Sequence, residues 1–355
     1  MKIPPAEVIA SWPKPDYIDP ESRGPAGKIV GSILLGLVTV ILAIRLYSRK
    51  RLTKGFGLDD MLICLAYIPA TAFTITGIST QELLQWGRHL WDVEPKFFSP
   101  NLLVMLINLL LFDLATSLTK LSMLAMVRRL TTASSKKIEG VTVLLLGALI
   151  TTNCFIFIIV EIFQCWPISA AWTMPSGPTH CINEEAHLMS ANIINTVTDF
   201  IVVLIPIRTT MALDIPTRHR VVVISLFGIG LVASSVGIAR TYFAWLLFTA
   251  ADHDTTWRSY YIWLSSLLEL HLGIVSVSLG AAAAIFNLEI NRLTKTSGDM
   301  RLGPRHKTVL HELFGQQTRA YQDTREIRCT IRSEVELRRG AQEPIEAIRA
   351  HLRSP

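Results

Sequence analysis

Seven long apolar stretches, separated by short polar segments, occupy the chain between residues 29 and 288. A helix that crosses the hydrocarbon core of a bilayer needs about 20 mostly apolar residues. Inside lipid a single segment satisfies its own backbone groups only as a helix. We therefore predict an all-α membrane protein with a seven-transmembrane helix bundle. The predicted spans are Ile29–Tyr47, Leu58–Ile78, Asn101–Val127, Ile138–Phe163, Leu188–Met211, Val221–Phe248 and Tyr260–Leu288.

The composition supports this interpretation and divides the chain into three parts. Half of the residues are hydrophobic and only 17% are charged, whereas soluble domains carry about 25% charged residues. Residues 1–28 form a polar N-terminal segment, 29–288 the transmembrane domain, and 289–355 a polar tail with few large apolar residues. Such a composition predicts that most of the tail is disordered.

Positive charges lie mainly on one side of the predicted bundle. The cations counted at the inner ends of the first, third and fifth spans and in the loops after them are Arg45, Arg49, Lys50, Arg51, Lys54, Arg128, Arg129, Lys136, Lys137, Arg208, Arg218 and Arg220. The cations in the opposite loops are Arg88, Lys96 and Arg258. Cytoplasmic loops of membrane proteins carry the excess of Lys and Arg. We therefore expect the N-terminus outside the cell and the tail in the cytosol.

The same charge distribution limits the partners. A net charge of +6 in short clusters between apolar spans marks membrane orientation and gives no nucleic-acid-binding stripe. The lipid bilayer is the expected partner of the spans, and a small-molecule ligand is a candidate partner within the bundle. The basic inner loops and the tail are the candidate contacts for a cytosolic signalling partner.

Polar and ionisable residues inside the spans are the candidate functional residues, because each is costly in lipid without a partner or a cavity. They are Asp113, Lys120, Asn195, Asp199, Arg240 and Glu269. Two interpretations stay open. Asp113, Asp199, Arg240 and Glu269 line a ligand or ion site, or the charged groups form interhelical pairs, Arg240 with Glu269 and Lys120 with Asp199.

Two of the five cysteines, Cys165 and Cys181, fall in the loop between the fourth and fifth spans. That loop has no Lys or Arg and is predicted to face an oxidising compartment, so we expect a disulfide. The cysteine spacings match no metal site, and we expect neither a metal nor another cofactor. Asp59 or Asp60, after Gly57, is expected to cap the second span.

Several segments together resemble the fungal rhodopsin-domain integral membrane proteins, a family that includes the satratoxin-cluster membrane proteins and receptor-like proteins of filamentous fungi related to pathogenicity. The matching segments are RLYSRKRLTKGFGLDD, WGRH, TKLSMLAMVRRL, CWPISAAW with the later Cys181, NIINTVTDFIVVLIPI and GIGLVASSVGIAR. Glu269 lies at the acidic position of the seventh helix in that family. The resemblance implies a seven-helix fold, a receptor-like role and, by analogy, the plasma membrane.

A receptor-like protein without retinal chemistry is favoured, and a transporter or accessory membrane protein of fungal secondary-metabolite biosynthesis is the alternative. A retinal protein needs a lysine in the seventh span for its Schiff base, and residues 260–288 contain none. An enzyme is not expected, because Glu269 and His271 lie two positions apart on one helix and point in different directions.

Overall fold

A computed structural model gives the fold of the chain. It describes the backbone over residues 6–51, 56–132, 137–173, 180–211 and 217–299. Side chains are described over 7–51, 56–128, 140–173, 180–205 and 228–279. Lys54, Lys136 and the tail from residue 300 lie outside the described residues, and with them most of the predicted contacts for a cytosolic partner.

Seven of the helices in the described chain are long and apolar enough to cross a membrane, which confirms the predicted bundle. A short helix, α1, precedes them at Ala6–Ser11. The seven long helices are α2 (Ala26–Arg51), α3 (Leu58–Leu83), α4 (Phe98–Thr132), α5 (Lys137–Ile162), α6 (Glu184–Met211), α7 (Thr217–Thr249) and α8 (Thr255–Asp299). The chain is thus a multi-pass membrane protein.

Most of these helices extend beyond the predicted apolar spans. Helix α2 includes the polar end Ser48–Arg51, and α8 continues through residues 289–299, which the sequence assigned to the tail. A helix bonds its backbone internally on both sides of the lipid boundary. The apolar pattern therefore marks only the part of each helix that lipid or the bundle surrounds.

Two very short strands are the exception to the all-α prediction. Cys165–Trp166 and His180–Cys181 pair in an antiparallel register that places Cys165 opposite Cys181. The expected disulfide joins these two residues. We call this end of the bundle, which also holds the α3–α4 and α7–α8 loops, the disulfide end, and the opposite end the basic end.

Helix α8 is the central helix of the bundle. In its most apolar stretch 67% of the residues are buried, whereas in the corresponding stretch of each of the other six long helices 39% or fewer are buried. Its side chains Leu267, Leu270 and Ile274 are fully enclosed, and His271 lies among them with its Nε2 3.3 Å from the Thr74 hydroxyl. Side chains on α8 are therefore shielded from lipid on nearly all sides.

An ion cluster ties α2, α3 and α8 together at the basic end. The Arg45 side chain is fully buried, and it donates from Nε to Asp60 and from Nη2 to Asp59, each at 2.9 Å. Its Nη1 donates to the carbonyl oxygen of Val277 in α8. The prediction that Arg45 is a loop cation was wrong, because α2 continues past it and the two acids of α3 pair with it.

Asp60 also performs the expected capping role. Its Oδ2 accepts a hydrogen bond from the Gly57 backbone amide at 3.2 Å, at the end of α3 where the amides lack helical partners. One acidic side chain thus both starts α3 and helps to neutralise Arg45.

The N-terminal segment is bound to the disulfide end by hydrogen bonds. The backbone amide of Arg23 donates to the carbonyl oxygen of Gly87 at 3.1 Å, and the Trp12 indole donates to the carbonyl oxygen of Asp252 at 2.9 Å. Arg258 holds the pKa of the Asp252 carboxyl below its usual range by hydrogen bonding to it. The segment before α2 therefore covers part of the bundle end.

An aromatic stack adds to the contacts between the N-terminal segment and the disulfide end. The His89 ring lies between Trp91 and Trp257, with centroid distances of 4.6 and 3.9 Å. Asp254 binds Nδ1 of His89 at 2.5 Å, and the Arg23 guanidinium lies 3.5 Å from the centroid of the Trp257 ring. His89 thus joins the α3–α4 loop to the start of α8.

Candidate functional site

A layer of polar side chains crosses the interior of the bundle and connects α4, α6, α7 and α8. We call it the polar layer and define it by Lys120, Asn192, Asn195, Thr198, Asp199, Arg240 and Glu269, which are joined by hydrogen bonds or ion pairs. The network connects all four helices. It contains five of the six candidate residues predicted from the sequence, and the sixth, Asp113, lies beside it.

Arg240 and Glu269 form the first half of the layer. Nε of Arg240 donates to Oε2 of Glu269 at 2.9 Å and Nη2 donates to Oε1 at 3.3 Å, so the contact is bidentate. The remaining terminal nitrogen, Nη1, donates to Oδ1 of Asn192. The Arg240 guanidinium also lies 4.7 Å from the centroid of the Phe112 ring. Both ionised groups are at most 4% exposed, so this pair is sealed from lipid.

Lys120 and Asp199 form the second half. Nζ of Lys120 lies 3.2 Å from Oδ1 of Asp199 and donates to Oγ1 of Thr198 at 2.9 Å. It also approaches the backbone oxygen of Asn195 at 2.9 Å and Oδ1 of the same residue at 2.8 Å. The ammonium group is therefore surrounded by oxygen atoms of α6.

Asn195 joins the two halves. Its side-chain nitrogen donates to Oε1 of Glu269 at 2.8 Å and to Oδ2 of Asp199 at 3.1 Å, while its side-chain oxygen accepts from Lys120. One amide thus contacts both carboxylates and one ammonium group. Disturbing either ion pair changes the hydrogen bonds available to the other.

A large cavity lies between the polar layer and the disulfide end. Its volume is about 120 Å³, and its lining is mostly apolar and aromatic. Side chains from six helices, α3 to α8, supply the wall, among them Phe73, Phe112, Phe157, Leu188, Ile262 and Trp263. Asn192, Asn195 and Arg240 of the polar layer reach this cavity. The layer therefore forms its polar floor.

Asp113 also lines the large cavity, and its carboxylate is not fully satisfied. The side chain is only 9% exposed, and the Cys154 thiol, a weak donor, is within hydrogen-bonding reach of the carboxylate. Its Oδ2 has no hydrogen-bond partner among the described residues. Buried polar atoms normally have a partner, so this oxygen is a buried acceptor left unsatisfied beside the cavity.

A small cavity of about 40 Å³ lies on the other side of the polar layer. Lys120, Asp199 and Glu269 line it together with hydroxyl groups, including those of Ser234 and Ser276. A buried water needs at least about 10–15 Å³ and two or more polar partners, and this space meets both conditions. The polar layer thus separates two cavities, one mainly apolar and one able to hold water.

Two residues outside the six candidates complete this arrangement: Asn192, which belongs to the polar stripe predicted along the fifth span, and Thr198, which was not predicted. Asn192 binds Arg240, and Thr198 binds Lys120. Asn192, Asn195 and Asp199 repeat at helical spacing along α6, so the signal for Asn192 was in the sequence. The aromatic wall gave no such signal, since a Trp or Phe within an apolar span looks the same whether it faces lipid or a cavity.

The fold and the buried polar layer define a seven-helix integral membrane protein. A family model described as the fungal rhodopsin domain matches residues 44–288, and the chain belongs to that family. This confirms the resemblance found in the sequence.

Two curated relatives are similar over part of their length. The wortmanamides biosynthesis cluster protein C of Talaromyces wortmannii is 27% identical over 216 residues, which cover 59% of each chain. The polyenoic acids biosynthesis gene cluster protein Ba17b of Metarhizium anisopliae is 23% identical over 217 residues, covering 59% of this chain and 58% of the relative. The match thus spans less than two thirds of either relative. No solved structure matches the chain.

Proposed function

We propose that this chain is a receptor-like, non-enzymatic membrane protein that binds a small molecule in the large cavity. The observation that supports this most strongly is the position of that cavity. It lies between the helices near the disulfide end and borders the polar layer that links α4, α6, α7 and α8. A ligand there would contact side chains that also hold the helices together.

The size of the cavity favours a compact ligand. An engineered cavity of about 150 Å³ lined by apolar side chains binds benzene, and the large cavity here measures about 120 Å³. Most of its wall is apolar, and polar groups lie at its floor. A small, largely apolar molecule with one polar group fits this distribution of chemistry.

The polar layer supports a sensing role, because it can change as a unit. Three of its four charged groups, Lys120, Asp199 and Glu269, share Asn195 as a partner. A ligand that hydrogen-bonds to one of them alters the bonds of the others. A ligand shifts a conformational equilibrium only through such differential contacts. In this proposal the change passes to the basic end, where the loops and tail meet a cytosolic partner.

Retinal chemistry is not part of this proposal. Lys120 is the one lysine within the seven predicted spans. Its ammonium group donates hydrogen bonds to Asn195 and Thr198 and pairs with Asp199. A Schiff base at this nitrogen would remove N–H groups that make these contacts.

The orientation follows the charge distribution. We place the disulfide end outside and the basic end in the cytosol of a plasma-membrane protein. The cations near the basic end still outnumber those of the opposite loops when the buried Arg45 is left out. Epitope tags at the two termini test this orientation in intact cells. Antibody should reach the N-terminal tag without permeabilisation and the C-terminal tag only after it, and the reverse pattern would contradict the orientation.

An alternative is that the chain is a transporter or an accessory membrane protein of fungal secondary-metabolite biosynthesis. Two observations favour it. The named relatives belong to biosynthesis clusters, and the large and small cavities lie on opposite sides of one polar layer. A transporter would open this layer to pass its substrate, whereas a receptor would only shift it.

A thermal-stability screen tests the binding proposal. The purified chain is heated with small amines, alcohols and carboxylates of matched apolar body, and unfolding is followed by tryptophan fluorescence. A bound ligand raises the unfolding temperature, because it stabilises the folded state by about 2.7 kcal/mol at 100 times its Kd. We expect at least one chemical class to do so in the natural chain.

Matched variants assign any such effect to the cavity. Ala244 is buried and lines the large cavity, so Ala244→Phe fills it. Ala148 is exposed on the outer side of α5, so Ala148→Phe serves as the control. The shift should vanish in Ala244→Phe and persist in Ala148→Phe. Absence of any shift, or equal shifts in both variants, would contradict the proposal.

Flux measurements separate the two functions. The chain is reconstituted in liposomes with a radiolabelled compound that scores in the thermal screen. A receptor should give no more flux than protein-free liposomes. Saturable flux that Ala244→Phe abolishes would instead establish the transport alternative.

A further inference from the structure

We propose that the large cavity is a site for a compact primary or secondary amine, whose ammonium group binds Oδ2 of Asp113. This inference rests on the proposed small-molecule site and names its ligand class. It is carried by the one carboxylate oxygen of the cavity wall that has no partner among the described residues.

Asp113 differs from the other acids of the bundle interior in its surroundings. Asp199 has Lys120, and Glu269 has Arg240, each within 3.2 Å. At the basic end, Asp59 and Asp60 share Arg45. Among the described residues, Asp113 has no ion-pair partner, and the Cys154 thiol beside it is only a weak donor.

The charges around the cavity leave a place for one cation. Lys120 and Arg240 carry two positive charges, and Asp199 and Glu269 carry two negative charges, so the ionised polar layer is neutral. Asp113 would add one negative charge at the cavity wall in its ionised form, which a neighbouring ammonium group favours. An ammonium group would neutralise it and supply the missing hydrogen-bond donor at once.

Other ligand classes fit less well. A carboxylate would place a second negative charge beside Asp113, and like charges in a dry site repel strongly. An alcohol donates one hydrogen bond but leaves the charge uncompensated. Hydrogen bonds between charged partners are roughly twice as strong as neutral ones, so the amine should bind more tightly than its alcohol.

The rest of the cavity defines the body of the amine. Phe73, Phe112 and Trp263 form an aromatic wall, and aromatic faces attract cations as well as apolar groups. With a volume of about 120 Å³, the space accepts a body near the size of benzene. A compact aryl or alkyl amine therefore matches the aromatic wall, the volume of the cavity and the carboxylate oxygen of Asp113 that lacks a partner among the described residues.

Three matched series test the ligand class. They have benzyl, cyclohexylmethyl and hexyl bodies, each as the amine, the alcohol and the carboxylate. Their dissociation constants for the purified full chain are measured by thermal-shift titration. We expect the amine to bind at least tenfold more tightly than the alcohol in one series or more, and the carboxylate to bind most weakly.

Variants place the ammonium group. Asp113→Asn keeps the shape of the side chain and removes its charge, and it should weaken amine binding at least tenfold while leaving alcohol binding within about threefold. Glu161→Gln is the matched control, because Glu161 is a buried acid of α5 that does not line the large cavity. It should leave both affinities unchanged.

The outcomes distinguish the ligand class from the site itself. Amine binding no tighter than alcohol binding, or equal losses for both in Asp113→Asn, would overturn the amine proposal. If alcohols or carboxylates still bind and Ala244→Phe abolishes that binding, the cavity remains a ligand site of another class. If no compound of any class binds, both the amine proposal and the proposed function fail. A folded Asp113→Asn is verified beforehand by its unfolding transition without ligand.

Discussion

The backbone of Gly77 in α3 packs directly against the indole of Trp263 in α8. A Cβ atom built at Gly77 would lie 2.0 Å from Nε1 and 2.4 Å from Cε2 of that ring. Trp263 is only 5% exposed and forms part of the wall of the large cavity. The absence of a side chain at Gly77 therefore allows the Trp263 indole to occupy its position in the cavity wall.

Gly77→Ala should destabilise the protein because the indole has no free space to enter. Overpacking a filled interior costs about 1–3 kcal/mol, and we expect a corresponding fall in the unfolding temperature in detergent. Gly36→Ala in α2 is the control, since a Cβ there meets no atom within 4 Å and alanine is the better helix former. Equal unfolding temperatures for the two variants would show that the close packing is not as described.

Charge reversal tests the Arg240–Glu269 pair. Arg240→Glu and Glu269→Arg each place like charges together in a buried site, where breaking an ion pair costs about 3–5 kcal/mol. This exceeds the average of about 0.6 kcal/mol for membrane polar contacts, because an uncompensated charge remains. We expect a large loss of folded protein for each single variant, measured by detergent size-exclusion chromatography.

The double variant Arg240→Glu with Glu269→Arg should recover part of that loss. Recovery will be incomplete, because Asn192 and Asn195 are arranged for the natural polarity. A double variant no more stable than expected from adding the two single losses would show that the two side chains do not interact.

Arg45 should be essential to the basic end. Arg45→Met leaves Asp59 and Asp60 buried with less compensation and removes the bond to the Val277 carbonyl oxygen. We expect a loss of about 3 kcal/mol in the free energy of unfolding, measured as a lower unfolding temperature. Lys50→Met, at an exposed position of the same helix, should change stability by no more than about 0.5 kcal/mol. Similar effects at both positions would contradict the buried cluster.

The disulfide should contribute to stability through the loop that it closes. Cys165 and Cys181 are 16 positions apart, and closing a loop of this size stabilises by about 3 kcal/mol in the chain-entropy model. The double variant Cys165→Ser with Cys181→Ser should therefore unfold at a lower temperature. Cys64→Ser, at a free cysteine, is the control. If the double variant unfolds at the same temperature as the control, the cross-link does not contribute.

The number and type of the long helices could be predicted because lipid imposes a simple rule. A span must be apolar and helical, so a run such as Ile29–Tyr47 leaves few alternatives. Interhelical ion pairs were one of the two predicted interpretations, because a buried charge in a span is costly without a partner. Lys120 and Arg240 need acids, and Asp199 and Glu269 lie on other spans. The structure contains both contacts.

Other features depend on depth and rotation, which the apolar pattern does not give. Arg45 lies close to Arg49 and Lys50 in the sequence, yet their burial differs: Arg45 is fully buried against Asp59 and Asp60, Arg49 reaches the same acids from a partly exposed position, and Lys50 is exposed. The cavity was not predictable either, because its wall is made of residues such as Phe112 and Ile262 that meet only in three dimensions. The aromatic stack between His89 and Trp257 joins the α3–α4 loop to the start of α8, which is far from it in the sequence.

Photoaffinity labelling tests most directly the claim that small molecules bind in the large cavity. The probes are a short aliphatic amine and the matching alcohol, each carrying a methyl-diazirine group, and the labelled residues are located by mass spectrometry. We predict adducts on lining residues such as Phe73, Phe112 and Trp263, and their loss in Ala244→Phe. Adducts confined to outward-facing side chains such as Leu144 and Phe155, unchanged in Ala244→Phe, would contradict the account.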